Sequence, residues 1–89
     1  MASLHIVNKA DALADCLPLL ADGDALLLIE DGVYAACTTI DAPATCHALA
    51  DDLEARGLTG RIETAVEILS YDGFVDLVER HQPVVTWSR

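Results

Sequence analysis

No apolar run in this 89-residue sequence comes near the roughly 18 residues that a membrane span needs; stretches such as Ala25 to Ile29 are short, and Met1-Ala2-Ser3 begins no secretory signal. A cytoplasmic protein with no membrane partner is expected. Basic residues are scarce as well. Only Lys9, Arg56, Arg61, Arg80 and Arg89 stand against fifteen acidic residues, for a formal charge of −10. The chain alone is therefore not expected to bind nucleic acid, which needs a cationic surface to meet phosphates. Acidity of this kind reads first as a solvated surface that keeps the protein dispersed. The three cysteines, Cys16, Cys37 and Cys46, are odd in number and include no C-x-x-C pair. That fits neither a disulfide framework nor a closed zinc site, so free thiols in a reducing compartment are expected. There is no G-x-G-x-x-G and no G-x-x-x-x-G-K, so neither a dinucleotide nor a P-loop phosphate site has support, and no cofactor is expected. Internal repeats, low-complexity tracts and linker-like stretches are missing too, which leaves one domain over residues 1–89.

What the chain does have is aliphatic surface. Hydrophobic residues make up 53% of it and aromatics only 4%, so the apolar content is almost wholly Ala, Leu, Val and Ile. A domain of this size buries only about 60–65% of the surface its unfolded chain exposes. A patch should remain for another subunit to cover, so an oligomer is expected, a homo-oligomer included when the chain is isolated.

The patterning alternates strands with helices. Leu4 to Val7 and Ala25 to Ile29 are continuous apolar runs of the kind buried on both faces of a parallel sheet. Between them Leu13, Leu17 and Leu20 fall at helical spacing, which predicts a helix over Asp11 to Ala21, closed by Asp22-Gly23. A brief helix is expected at Val33 to Cys37, a strand at Thr45 to Ala50, and a short helix over Asp51 to Gly57, with acids at its start and Arg56-Gly57 at its end. Ala65 to Leu69 reads as a fourth strand, Asp72 to His81 as an amphipathic helix, and Pro83 to Trp87 as a fifth strand. The class is α/β with a mainly parallel five-stranded sheet.

In such sheets reactive groups gather beyond the carboxyl ends of strands, here Asn8-Lys9, Glu30-Asp31-Gly32 and Ser70-Tyr71-Asp72-Gly73. Glu30 with Asp31 reads as a solvated turn rather than a metal pair, and no metal is assigned. His5 and His47 fall inside strands, where a hydrogen-bonded, partly buried imidazole is the usual outcome, and His81 falls at a helix end that suits a cationic ring. No spacing brings a serine and an acid onto any of the three. Cys16 is the most informative thiol. It lies beside the apolar stripe of the first helix and reads either as a small core residue or as a reactive thiol. Pro18 cannot donate to the Ala14 carbonyl, so the helix must kink or restart there, and a restart would set Cys16 near free amides that lower a thiol pKa.

Several segments together resemble the DsrH/TusB family of sulfur-relay subunits. They are Leu4-His5-Ile6-Val7-Asn8-Lys9, Leu26 to Ile29 running into Glu30-Asp31-Gly32-Val33-Tyr34-Ala35-Ala36, Asp52-Leu53-Glu54-Ala55-Arg56-Gly57, Tyr71-Asp72-Gly73-Phe74-Val75-Asp76-Leu77, and Thr86-Trp87. The resemblance spans nearly the whole chain. It implies a DsrE-like three-layer α/β/α domain in a heterohexamer with TusC/DsrF-like and TusD/DsrE-like subunits. That complex passes persulfide sulfur to a TusE/DsrC-like carrier, for 2-thiolation of the tRNA wobble uridine or, in a related complex, for sulfur oxidation. The principal relay cysteine belongs to the DsrE/TusD chain. The resemblance therefore implies mainly an assembly subunit, with Cys16, matching a first-helix cysteine of DsrH-type members, as the candidate for direct persulfide exchange.

Overall fold

The computed structural model describes residues 2–88. Met1, part of the amino-terminal segment expected to begin no secretory signal, and Arg89, one of the five basic residues, lie outside them. Five strands form one sheet: β1 (Leu4–Val7), β2 (Ala25–Leu28), β3 (Thr45–Leu49), β4 (Val66–Leu69) and β5 (Val84–Trp87). Their order is β4-β3-β2-β1-β5, and every neighbouring pair is parallel. The chain steps from β1 to β4 in one direction, then returns across the sheet to place β5 on the other side of β1.

Both β1 and β2 are buried at every position, as central strands of a parallel sheet must be when helices cover both faces. Side chains alternate between those faces. Leu4, Ile6, Ala25 and Leu27 pack with Leu77 on one side, whereas Val7, Leu26, Leu28 and Ala48 pack with Cys16, Val33 and Leu53 on the other. The result is the expected three layers, unequally filled. The helix α3 (Tyr71–Arg80) contributes Leu77, Phe74 and Val78 to the first side. The second side carries α1 (Leu13–Cys16), α2 (Ala50–Ala55) and several 3-10 turns.

The strands form where the apolar runs place them, β1 at its expected bounds and each of the others with one end shifted by a residue. The helices differ more. The single helix expected over Asp11 to Ala21 is three pieces: a 3-10 turn at Ala10–Ala12, the one-turn α1, and a second 3-10 turn at Leu17–Leu19. Pro18 has no N–H for the Ala14 carbonyl, so the α-helix stops at Cys16, the chain restarts in the tighter form, and Leu20 turns extended. The brief helix expected at Val33 to Cys37 is a 3-10 helix beginning earlier, Glu30–Cys37. A tight turn sets its start. Glu30 takes a φ of +50°, a region non-glycine residues seldom enter, and its N–H donates to Asp52 Oδ2 at 2.7 Å. Ala50 rather than Asp51 begins α2, which ends before Gly57, where a φ of +67° favours glycine. The 3-10 turn at Thr59–Arg61 had no periodic signal to announce it. Ser70 caps α3 by accepting the Gly73 N–H at 3.3 Å. Among the described residues no helix is long and apolar enough to cross a membrane.

Candidate functional site

Cys16 ends α1 on its inward side and is 0% exposed, within the cluster that contains Ala12, Leu20, Leu26 and Leu28. The restart after it does not lower the pKa as a set of free amides would. Burial above all, and then the negative charge of Asp24, push the thiol up to about 11, so it stays protonated at neutral pH. Cys37 and Cys46 are half-buried free thiols. Burial raises the Cys46 thiol too, and its sulfur lies 3.8 Å from the Ala44 carbonyl. Under native conditions a maleimide should label Cys37 first and Cys16 last, and all three together once the chain is unfolded. Peptide mapping of the labelled sites checks this order, and early modification of Cys16 would contradict the packing described here.

The loops beyond the carboxyl ends of β1 and β2 border an open crevice of about 520 Å³ lined by Lys9, Ala10, Asp11, Asp31 and Tyr34. Two of the three segments singled out for chemistry therefore meet. The third does not, because it follows β4 at the sheet edge beyond β3, where Ser70 caps α3. Asp31 is held by Arg56 at 2.9 and 3.0 Å, and Arg56 also donates to the Asp52 carbonyl, so the Glu30-Asp31 pair is a braced turn. One ammonium, two carboxylates and a half-exposed phenol suit ion pairing and hydrogen bonding with a partner.

The histidines are structural ties. His5 is 6% exposed; its Nε2 lies 3.3 Å from Asp24 Oδ2, and Trp87 Nε1–H donates to its Nδ1 at 3.1 Å. Asp24 also accepts from the Ser3 N–H at 2.9 Å and the Ala21 N–H at 3.0 Å. The Ser3 amide foremost, then the Ala21 amide and His5, hold its carboxyl below the usual range against the opposing effect of burial. His47 Nε2 lies 3.0 Å from Thr45 Oγ1 and its Nδ1 2.8 Å from Glu67 Oε1, the latter a close contact off the line of a good hydrogen bond. Burial, the largest influence, lowers the His47 pKa, although Glu67 opposes it. Hydroxyl, imidazole and carboxylate thus stand in the order a hydrolytic triad needs, a convergence the spacing gave no sign of. The hydroxyl belongs to Thr45 on an exposed strand position outside the crevice, and the group works as a tie between β3 and β4. His81, at the end of α3, donates from Nδ1 to the Leu77 carbonyl at 2.8 Å.

The profile of the family described as DsrH like protein matches residues 7–84. The chain belongs to the DsrH family. Protein TusB of Serratia proteamaculans is 42% identical to it over 94 aligned positions, covering 94% of this chain and 99% of that protein. Protein TusB of Enterobacter sp. strain 638 is 39% identical over the same coverage. The solution NMR structure of protein Tm0979 from Thermotoga maritima superposes with a TM-score of 0.70 at 28% identity, over 88% of this chain and 92% of that one.

For this DsrH-family chain, the sequence found Cys16, Lys9 and Asp31 but missed Asp24, Tyr34 and Trp87 as partners. His5 and Trp87 are 82 positions apart, and only the parallel pairing of β1 with β5 brings them together. Asp24 carried a faint signal, being an acid next to an apolar strand where a solvated residue would be ordinary.

Proposed function

We propose that this chain is an assembly subunit of a heterohexameric sulfur-relay complex. Its partners in that reading are TusC/DsrF-like and TusD/DsrE-like chains, persulfide sulfur passes to a TusE/DsrC-like carrier, and the pathway served is 2-thiolation of the tRNA wobble uridine. Likeness to TusB proteins over nearly the whole chain supports this relay and this branch. The assembly role rests on one observation: Cys16, the candidate carrier, is wholly buried with its thiol held protonated. A persulfide carrier must meet a donor sulfur as a thiolate, and this sulfur does neither. The surface fits a scaffold. Tyr71 and Val75 on α3, Ile68 on β4 and Val84 on β5 remain 40–63% exposed, apolar area that partner subunits would cover.

Intact-mass analysis of the co-expressed three-subunit complex after incubation with a persulfide donor tests the role. Sulfur is expected on a partner and not on this chain, with Cys16→Ser leaving partner loading unchanged. A gain of one sulfur on this chain that disappears in Cys16→Ser would make it a working station of the relay.

A further inference from the structure

An indole nitrogen can only donate a hydrogen bond, so the contact from Trp87 requires His5 Nδ1 to be an unprotonated acceptor. The ring hydrogen then sits on Nε2 and points at Asp24 Oδ2. Trp87, His5 and Asp24 thus form a directed chain with one proton arrangement, and the indole and imidazole also lie nearly parallel, 21° apart with centroids 6.3 Å distant. This chain ties down an edge strand. Among the described residues β5 pairs with β1 alone, and none of its four residues is fully buried.

We propose that His5 is a proton-controlled latch for this edge strand: the neutral ring docks Trp87, and the imidazolium releases it while keeping Asp24. A proton added at Nδ1 replaces the acceptor with a donor facing the indole N–H, and the two repel. The other half of the chain gains, because the imidazolium faces a carboxylate whose remaining bonds, to the Ser3 and Ala21 amides, are untouched. The groups around His5 from each packed element agree with this asymmetry. The turn before β2 presents Asp24; β2 and β5 present the neutral Leu26 and Val85 across the ladder. The helical segment above presents the protonated Cys16 near Asp24, with Asp15 on its outer side. Of these groups only the Trp87 indole loses its bond when Nδ1 takes a proton.

Trp87 is the single tryptophan, so its emission reads the latch directly. Imidazoles change charge between about pH 5 and 8. Across that range the emission of the whole chain should shift to the red and become more accessible to acrylamide on acidification, while the far-ultraviolet circular dichroism stays constant. His5→Gln, whose amide can serve both partners without titrating, should give a pH-independent spectrum; His47→Gln and His81→Gln should keep the wild-type transition. Should His5→Gln fail to fold, NMR of the wild type decides, because the Trp87 indole N–H resonance must move with the same midpoint as the His5 ring. Emission that does not change, that changes only with loss of circular dichroism, or that still titrates in His5→Gln overturns the latch, as do unequal NMR midpoints.

Discussion

Replacing Asp24 with alanine should destabilise the chain by about 3 kcal/mol or more, because it strips the acceptor from three donors at about 1–3 kcal/mol each. For a domain of this size about 1 kcal/mol moves Tm by roughly 4–8 °C, so thermal unfolding should come at least about 12 °C earlier. Asp24 is 6% exposed and accepts from three donors, the Ser3 and Ala21 amides and His5 Nε2. Alanine leaves all three facing a site with little water, and each orphaned donor costs about 1–3 kcal/mol. Asp24→Asn should fall between: its oxygen can serve Ser3, but its NH2 would stand where Oδ2 accepts from Ala21. The same carboxylate sets an acid limit. Its folded pKa lies below its ordinary value of 3.8, so its stabilisation is fully present above that value and is lost as pH falls through the depressed one. The wild-type Tm should drop over that acid window, and Asp24→Asn should lose less there. An Asp24→Ala protein melting within about 3 °C of wild type would show that this carboxylate does not organise the start of β2, since such a shift is under about 1 kcal/mol.

Gly32→Ala should be nearly as damaging, at about 3 kcal/mol or more, the upper end of what forcing extra volume into a packed site costs. A Cβ on Gly32 would overlap the Val7 carbonyl oxygen, and the next atoms it meets are also backbone, Val7 C and Asn8 C. Backbone cannot swing aside as a long side chain does. The Val7 carbonyl is also committed, accepting the Ile29 N–H at 3.0 Å, so relief means parting β1 from the turn that leaves β2. That turn is already constrained by Glu30 at φ +50° and by the Asp52 and Arg56 bonds that brace it. Urea unfolding should show the loss as a lower midpoint. Gly60→Ala, where a Cβ meets nothing within 4 Å, is the matched control and should change stability little. Equal midpoints for the two variants would mean that β1 and the turn can separate without cost.

Most strands and the class were legible because their signal is local. An apolar run such as Ala25 to Leu28 states that a strand is buried on both faces. Helix detail was less so. Leu13, Leu17 and Leu20 keep helical spacing over the whole expected segment, and that spacing cannot say that the missing Pro18 N–H would leave only one α-turn between two 3-10 turns. The thiol was legible as a choice between packing and chemistry. Its raised pKa was not, because it depends on burial against the sheet and on Asp24, eight residues on, folding back toward it.

By itself the sequence determined the alternation of strands and helices, the five-stranded α/β class, the surplus of aliphatic surface and the resemblance that places the chain in its family, since all of these are written in composition, periodicity and the order of short motifs. Tertiary structure alone decided which polar groups meet. The register of β1 against β5 joins His5 to Trp87, that of β3 against β4 joins His47 to Glu67, and the fold of the turn before β2 brings Asp24 to both His5 and the first helical segment. Contacts between residues far apart along the chain follow from sheet pairing and burial, which no local pattern encodes.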